Sequence, residues 1–347
     1  MARILPIKHQ PPLPIDRLIT ADTPNAESIE MDVLFVGAGP AGLAGAIELA
    51  RLAKADPAIG ELNIGVLEKS ASLGEHCLSG AVVDPRAFRE LFPDVPVEDL
   101  PFRQPVGGEA VYLLTAGSSI RIPTPPTMRN HGNYVASLCE VVRWMGEQAE
   151  ALGINIFAGF PAESLLVQGS RVVGVRTTAA GLARDGTPGE GYAEPTDLTA
   201  KVTVLSEGTR GPLSQAYRGW RGIKSPNPQI FALGVKEVWE VKKPLDRIIH
   251  TLGWPLPRSA FGGTFMYPMG PSQVAIGLVV GLDARDALQE LYRVGVQFFD
   301  QALVFEPGIF LNHFERALFL VVRRGDAFQV GAGKGFGQLG HAAQVVA

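Results

Sequence analysis

The stretch DVLFVGAGPAGLAGAIELA, Asp32–Ala50, predicts a strand, a glycine-rich turn and a helix in direct succession. Gly37, Gly39 and Gly42 form a GxGxxG pattern. In that pattern the first glycine allows the tight turn, the second lets a pyrophosphate approach the backbone, and the third lets helix and strand pack closely. We therefore expect a dinucleotide whose phosphates bind the amide groups at the positive end of the helix.

A second predicted strand, LNIGVLE (Leu62–Glu68), completes the βαβ unit of a nucleotide-binding fold. Its last residue, Glu68, lies where an acidic side chain binds the ribose, although farther from Gly42 than the usual spacing of about 20 residues. The breakers within KADPAIGEL indicate a loop insertion that accounts for the surplus. The motif alone does not choose between FAD and NAD.

Three stretches favour FAD. Pro40 opens the helix in GAGPAGL, which is typical of the flavoprotein version of the motif. LGEHCLSGAVVDP (Leu73–Pro85) follows Glu68 closely, where a chain crossing a flavin is expected. VTVLSEGTRGPL (Val202–Leu213) places Glu207 and Gly208 at a strand end, and this resembles the acidic-glycine motif of flavin-dependent hydroxylases and reductases.

The composition bounds the class of protein. With 347 residues, 46% hydrophobic and 19% charged, the chain is globular and long enough for two domains. Its net charge of -4 without a basic stripe excludes nucleic acid as an expected partner. Two cysteines, Cys77 and Cys139, predict neither a disulfide framework nor a cysteine metal site. No apolar run has the length of a spanning helix, and residues 1–30 predict an irregular N-terminal extension rather than a signal or transit peptide.

Several distinctive strings together resemble the electron transfer flavoprotein-ubiquinone oxidoreductase family, and the resemblance runs from about Met31 to Arg285. The strings are HCLSGAVVDPRAFRELFPD, NHGNYVASL, WMGEQAEALGI, HTLGWPL, FGGTFMYP and GLVVGLD. The resemblance implies a protein that takes electrons from reduced electron transfer flavoprotein and delivers them to ubiquinone. It also implies FAD, a [4Fe-4S] cluster and a monotopic membrane contact.

Site residues follow from the motifs and the resemblance together. The cofactor-binding residues expected are Gly37, Ala38, Gly39, Pro40, Ala41, Gly42, Glu68, Lys69, His76, Leu78, Ser79, Gly80, Glu207 and Gly208. Gly262 and Gly263 match the paired glycines at the family's quinone site, and the alternative is a bulge or tight bend. No catalytic residue is predicted, because an isolated histidine such as His76, His131 or His250 is more often a structural hydrogen-bonding group.

The helix expected after Asp84 carries Phe88, Leu91 and Phe92 on one side. Its pattern alone favours a core-facing amphipathic helix, whereas the resemblance, which includes the family's membrane segment over residues 76–97, favours a helix lying on a membrane. The protein is expected to be membrane-associated and monotopic, on the cytoplasmic face of a bacterial inner membrane or, alternatively, on the mitochondrial inner membrane.

The predicted fold is α/β: a Rossmann-like FAD-binding domain of the glutathione-reductase type with an inserted, mostly antiparallel quinone-side sheet. The FAD-binding domain is expected over residues 31–110 and 130–215, and the quinone-side domain over residues 111–129 and 216–285. Residues 286–347 depart from the family pattern as a divergent tail, in which GDAFQVGAGKGFGQ is only a distant echo of a flavin-contacting segment.

The family's ferredoxin-like [4Fe-4S] domain is expected to be absent, because its four cysteine ligands are missing, so the chain is interpreted as C-terminally truncated or altered. Two rival interpretations stay open. One is a flavoenzyme of the geranylgeranyl-reductase or monooxygenase type that uses NAD(P)H. The other is a non-catalytic fragment that binds FAD weakly or not at all.

Overall fold

A βαβ unit forms the centre of the first domain. The computed structural model describes residues 12–183, 185–226 and 231–282 and the backbone of residues 344–346. Strand β2 (Ile29–Val36), helix α2 (Pro40–Ala55) and strand β3 (Ile64–Glu68) follow in order, and β2 and β3 pair in parallel. Their apolar runs are buried on both faces, as the strands of a covered parallel sheet must be.

The first sheet has seven strands. In sheet order they are β1 (Ile19–Thr20), β10 (Ala162–Gln168), β11 (Arg171–Thr177), β14 (Asp197–Leu205), β2, β3 and β9 (Asn155–Ala158). Strands β14, β2, β3 and β9 run parallel, while β10 and β11 form an antiparallel hairpin. Buried apolar side chains form two clusters around this sheet. Helices α2 and α4 (Leu138–Ala151) contribute to the larger cluster, and helix α5 (Pro212–Trp220) contributes to the second cluster with β2 and β10.

The second sheet also has seven strands and is antiparallel except for one pair. In sheet order they are β19 (Gln344–Val346), β15 (Ala232–Glu240), β18 (Gln273–Gly281), β17 (Gly262–Pro268), β16 (Ile248–Gly253), β6 (Glu109–Leu114) and β7 (Ser119–Ile122). Strands β16 and β6 pair in parallel. The expected α/β fold with an inserted, mostly antiparallel sheet is confirmed, and β6 and β7 form an antiparallel hairpin at its edge.

Several smaller elements lie between the strands of the two sheets along the sequence. A three-stranded sheet holds β4 (Ala81–Val83), β8 (Tyr134–Ala136) and β5 (Phe102–Pro105), and a two-stranded one holds β12 (Ala180–Leu182) and β13 (Pro188–Ala193). Helix α3 (Arg86–Leu91) follows β4, and single 3₁₀ turns span Val97–Asp99 and Pro126–Met128. In the part of the chain that the structure describes, no helix has the length and apolar character needed to cross a bilayer.

The N-terminal extension differs from expectation. Within residues 12–30, helix α1 (Ile15–Leu18) leads into β1, which adds to the edge of the first sheet beside β10, and β2 already begins at Ile29. The sequence of this segment did not indicate strand β1, because among the described residues β1 pairs with the distant strand β10. The tail over residues 286–343 lies outside the described residues, and the domain boundaries themselves remain a prediction.

Candidate functional site

The glycine-rich loop is held by two tight contacts and leaves one open space. Gly37 has a φ of 106°, and a Cβ there would lie 2.6 Å from the Ser206 carbonyl oxygen. A Cβ on Gly42 would lie 2.0 Å from the Gly37 carbonyl oxygen. A Cβ on Gly39 would meet nothing within 4 Å. Gly37 and Gly42 therefore allow the packing, and Gly39 borders the space available to a ligand.

The N-terminus of α2 fits an anionic group. The helix begins at Pro40, no side chain caps it, and its first turn contains no acidic residue. Its first amide groups are therefore unsatisfied by side chains and carry the positive end of the helix dipole. Because the space beside Gly39 is open, this end fits the diphosphate of a dinucleotide.

Glu68 lies beside this loop, at the carboxyl end of β3. Its carboxylate accepts hydrogen bonds from the backbone N–H of Ala38 at 3.2 Å and from the N–H and hydroxyl of Ser70 at 2.9 and 2.7 Å. The side chain is half-buried, so it remains accessible to a ribose hydroxyl. Lys69 follows it and is exposed.

The Glu207 side chain accepts hydrogen bonds from the first turn of helix α5. Its carboxylate accepts the N–H of Leu213 at 3.2 Å and both the N–H and the hydroxyl of Ser214 at 2.7 Å, which are donors in the first turn of α5. The structure thus gives this predicted cofactor residue a capping role. The backbone beside it still borders the loop, because Gly37 packs against Ser206 and Glu207, while Gly208 faces open space.

The segment His76–Gly80 is clamped between the two domains. The Leu78 carbonyl accepts the N–H of Leu138 at 3.0 Å, which ties the segment to the start of α4. On the other side, a Cβ on Gly80 would lie 2.7 Å from the Ala275 Cβ on β18. His76 itself is exposed. The segment that follows β3 therefore ends against the second sheet.

One face of the second sheet is directed at that segment. Gly277 on β18 pairs with both Lys236 on β15 and Phe265 on β17, and Phe265 pairs with His250 on β16. Directly paired residues project from the same face, so the three side chains form a row across the sheet. The Lys236 Nζ donates to the Ser79 Oγ at 2.9 Å, which fixes that face toward the segment 76–80. We call it the inner face.

Lys236 is a buried cation. Its exposed fraction is 7%, and within the described ranges no carboxylate lies within salt-bridge distance of its Nζ. Desolvation lowers the pKa of Lys236 to about 8. The sequence gives no signal for this residue, because a lysine within a strand is usually a surface group and its partner lies 157 positions away.

His250 and Tyr267 form a hydrogen-bonded pair on the inner face. The His250 Nε2 lies 3.0 Å from the Tyr267 hydroxyl, and Phe265 stacks on the Tyr267 ring. Burial lowers the pKa of His250 and raises the pKa of Tyr267 to about 12, so both groups are neutral at pH 7. The His250 Nδ1 is buried and has no hydrogen-bond partner among the described residues. Imidazole and phenol groups can each accept or donate a hydrogen bond.

The paired glycines are required by strand packing. A Cβ on Gly262 would lie 2.0 Å from the Val279 carbonyl oxygen, and one on Gly263 would lie 2.0 Å from the Thr251 carbonyl oxygen. Gly262 also has a φ of 145°. This geometry agrees with the tight bend that the sequence left open, while a role in binding a quinone stays a prediction.

An apolar row lies beside these glycines, toward the edge of the inner face. Leu252 on β16 pairs with Leu113 on β6, and Leu113 pairs with Ile120 on β7. Leu113 and Ile120 are 41% and 55% exposed, and Phe261, just before the glycines, is 69% exposed. We call these four residues the apolar row. The inner face thus has a cation on one side and an accessible apolar surface on the other.

Helix α3 differs from the expected membrane contact. Phe92, directly after it, is 8% exposed and packs edge-to-face on Trp144 of α4. Phe88 packs edge-to-face on Phe102, and Phe88 and Leu91 are partly buried against the same core cluster. Phe92 therefore cannot contact a membrane in this structure, and the helix is the core-facing amphipathic helix that its pattern favoured.

The cysteines do not fit an iron-sulfur cluster. The Cys139 thiol donates to the Cys77 carbonyl oxygen at 2.9 Å, and burial raises the pKa of Cys77. A [4Fe-4S] cluster requires four thiolate ligands, and the sequence contains two cysteines. Over the residues that the structure describes, no group of three or more metal-ligating side chains is brought together.

Solved structures show the fold. The chain is similar to a geranylgeranyl bacteriochlorophyll reductase-like protein from Thermoplasma acidophilum, with a TM-score of 0.57, 18% identity and coverage of 79% of this chain and 62% of that one. It is also similar to the flavin-dependent halogenase CmlS, with a TM-score of 0.56, 14% identity and coverage of 93% of this chain and 50% of that one. At these identities the likeness shows the Rossmann-like fold of FAD-dependent enzymes and nothing of the substrate.

Sequence comparisons are more specific. A family model described as "ETF-QO, ubiquinone-binding" matches residues 231–307. The chain is 41% identical over 273 residues to the mitochondrial electron transfer flavoprotein-ubiquinone oxidoreductase of Oryza sativa subsp. japonica, covering 77% of this chain and 47% of that protein. It is 41% identical over 274 residues to the Homo sapiens protein of the same name, covering 76% of this chain and 44% of that protein.

The chain spans about half the length of these curated relatives. Over about three quarters of its length the chain is therefore similar to proteins named electron transfer flavoprotein-ubiquinone oxidoreductase, and residues 231–307 match the ubiquinone-binding model.

Proposed function

We propose that the chain is an FAD-dependent oxidoreductase that passes electrons from reduced electron transfer flavoprotein to membrane ubiquinone. The observation that carries the proposal is the 41% identity to proteins of that name over 273 residues. The match of residues 231–307 to the ubiquinone-binding model supports the acceptor. The geometry of the glycine-rich loop supports FAD.

In the proposed holoprotein, FAD supplies the ring that accepts and releases electrons. The α2 amide groups beside Gly39 would bind its diphosphate, and the Glu68 carboxylate would accept a hydrogen bond from a ribose hydroxyl. The segment His76–Gly80, which begins past Glu68 and ends on the second sheet, would hold the remainder of the cofactor. No step is assigned to a [4Fe-4S] cluster, because the two cysteines do not fit one.

The quinone is proposed to bind on the inner face between the paired glycines and the His250–Tyr267 pair. Reducing a quinone consumes protons as well as electrons, and this pair can hold a proton next to the acceptor. The apolar row beside Gly263 suits an isoprenoid tail, because such a tail binds by burying apolar surface.

Peripheral membrane contact is also proposed, and the apolar row supports it better than helix α3 does. Large side chains of the row are exposed, whereas Phe92 is buried. The relatives named above are mitochondrial proteins, which supports the mitochondrial inner membrane as the location over the bacterial one.

Stopped-flow absorbance of the purified, FAD-loaded chain tests the proposal. We expect reduced electron transfer flavoprotein to bleach the flavin absorbance near 450 nm, and a short-chain ubiquinone to restore it. Restoration should be slower in a Leu113→Ser/Ile120→Ser variant, which shortens the apolar row without touching the glycine-rich loop.

The two rival interpretations predict other results in the same experiment. Rapid bleaching by NADPH with no response to reduced electron transfer flavoprotein would support an enzyme of the geranylgeranyl-reductase or monooxygenase type. A colourless protein whose Tm does not rise when FAD is added would support a non-catalytic fragment.

A further inference from the structure

We propose that Lys236, held in place by Ser79, is a positioning and charge-tuning residue that stabilises the flavin ring of bound FAD when the ring is reduced. The proposal rests on the proposed FAD binding but not on the identity of the electron donor or acceptor. It concerns a residue that neither the glycine-rich motif nor the paired glycines involve.

No carboxylate among the described residues forms an ion pair with the Lys236 ammonium. A buried ammonium is costly unless an anion and further hydrogen bonds accompany it. Lys236 is 7% exposed and donates to the Ser79 hydroxyl, and none of the ion pairs among residues 12–183, 185–226 and 231–282 includes it. Its place in the fold therefore favours a bound anion.

The hydrogen bond to Ser79 indicates the side from which such an anion would approach Lys236. Ser79 belongs to the segment that begins past Glu68, at the carboxyl end of β3, and ends against β15 and β18. In the proposed holoprotein, the second half of a dinucleotide anchored at Gly39 and Glu68 would lie along this segment. Lys236 lies where the segment reaches the second sheet. The apolar row lies on the same face but near the other edge of the sheet, several strands away from Lys236.

The charge of a flavin ring changes when the ring is reduced. Reduction adds electrons to the flavin and leaves the ring with a net negative charge at neutral pH, whereas the oxidised ring is neutral. A cation beside the ring binds the reduced form more tightly than the oxidised form, which raises the reduction potential. The Ser79 hydroxyl fixes where the ammonium lies, and it accepts a hydrogen bond without neutralising the charge.

Sulfite affinity tests the proposal without any turnover, because sulfite adds to an oxidised flavin and places a negative charge on the ring. An opposite charge nearby shifts such an equilibrium by tenfold or more. For FAD-loaded Lys236→Met we expect a sulfite Kd about tenfold higher than for the unchanged chain, and a two-electron potential about 30 mV more negative. Lys236→Arg should retain most of the effect, and Ser79→Ala should give an intermediate value.

Two further measurements separate this role from a structural one. The Tm of FAD-free Lys236→Met should equal or exceed that of the unchanged chain, because an uncompensated buried charge has been removed. A variant that folds and binds FAD with unchanged sulfite Kd and potential would overturn the proposal. So would a variant whose FAD affinity falls while the sulfite Kd of its bound flavin is unchanged, since the contact would then be elsewhere on FAD.

The outcomes also separate this inference from the proposed electron route. If sulfite affinity falls in Lys236→Met but reduced electron transfer flavoprotein never bleaches the flavin, the inference holds and the route fails. If the unchanged chain takes up no FAD at all, both are overturned.

Discussion

Gly39 and Gly42 are three residues apart in one motif, yet their substitution should have different consequences. Gly39 has a φ of -73°, which any residue adopts, and a Cβ there meets nothing within 4 Å. We expect FAD-free Gly39→Ala to keep the Tm of the unchanged chain, while its FAD Kd rises about tenfold or more because the methyl group occupies the space of the diphosphate. Fluorescence titration of the FAD-free protein measures the Kd, and equal affinity would contradict the assignment.

Gly42→Ala is the matched variant. Its Cβ would lie 2.0 Å from the Gly37 carbonyl oxygen, so the loop or the helix has to move. Overpacking of this kind costs about 1–3 kcal/mol. We expect a lower free energy of unfolding even without FAD, measured by urea denaturation.

The residues of the site differ in how well the sequence predicts them. Gly37, Gly39, Gly42 and Glu68 are close in sequence, and their arrangement follows from one βαβ unit. Lys236 and the His250–Tyr267 pair depend on strand register and on a segment from the other domain, and a single sequence carries no signal for either. Glu207 was recognised by its position, but its hydrogen bonds to α5 are visible only in three dimensions.

At the scale of single elements, helix α5 depends on Glu207. Losing a side-chain cap costs about 0.5–2 kcal/mol. We therefore expect Glu207→Ala to lower the free energy of unfolding by about 1 kcal/mol and Glu207→Gln, which keeps an acceptor, to lower it less. If the carboxylate serves the helix alone, the FAD Kd should barely change in either variant, and a large rise in the Kd would restore the predicted cofactor role.

Strands β11 and β14 are joined by an ion pair with a pH signature. Asp197 is 1% exposed, and its carboxylate accepts two hydrogen bonds from the Arg176 guanidinium, which hold the pKa of Asp197 below its usual value. A lowered carboxyl pKa contributes stability that is present above the unfolded-state pKa of about 3.9 and is lost as the pH falls through the folded-state pKa.

Asp197→Asn removes the buried carboxylate that pairs with Arg176, which keeps its ion pair with the exposed Asp22, so we expect a loss of about 1.5–3 kcal/mol at pH 7 and a smaller loss near pH 3. Urea denaturation at both pH values measures the difference. Asp32→Asn is the control, because its partner Lys201 is exposed and the loss should be much smaller. Equal losses at both pH values in Asp197→Asn would contradict the coupling.

Helix α3 shows why an amphipathic pattern is ambiguous. Phe88, Leu91 and Phe92 share a side of the helix whether they face a bilayer or a core, so periodicity cannot distinguish the two. The structure shows a core-facing helix because Phe102 and Trp144, which lie on other elements, pack on the rings of Phe88 and Phe92.

At the scale of the whole molecule, the two domains meet at Gly80. Gly80 and Gly60 both have a φ of 75°, so alanine carries the same backbone strain at each. A Cβ on Gly80 would lie 2.7 Å from the Ala275 Cβ, whereas one on Gly60 would meet nothing within 4 Å. We expect Gly80→Ala to lower the Tm and the FAD affinity well beyond Gly60→Ala, as measured by differential scanning fluorimetry and FAD titration. Equal effects would mean that the contact of Gly80 with the second sheet contributes nothing to stability or to FAD binding.

The central βαβ unit was predictable, because β2, α2 and β3 are near neighbours in sequence. The pairing of β2 with β14 and of β3 with β9 was not, because those partners lie far along the chain. The strand β1 was missed, because its parallel partner β10 lies far along the chain. The strands of the second sheet could be predicted, but their order could not. That order depends on the parallel pairing of β16 with β6, which lies far from it in sequence.

That parallel pairing also has a consequence for folding. The β6–β7 hairpin spans residues 109–122, but its only sheet partner in the described chain is β16, residues 248–253. During synthesis the first sheet can close once β14 has emerged, while the hairpin keeps an unpaired strand edge until β16 follows. Such a late, long-range closure is slow and exposes that edge to aggregation. Leu113 and Ile120 of the apolar row lie on this hairpin, so they stay exposed in the nascent chain until β16 emerges.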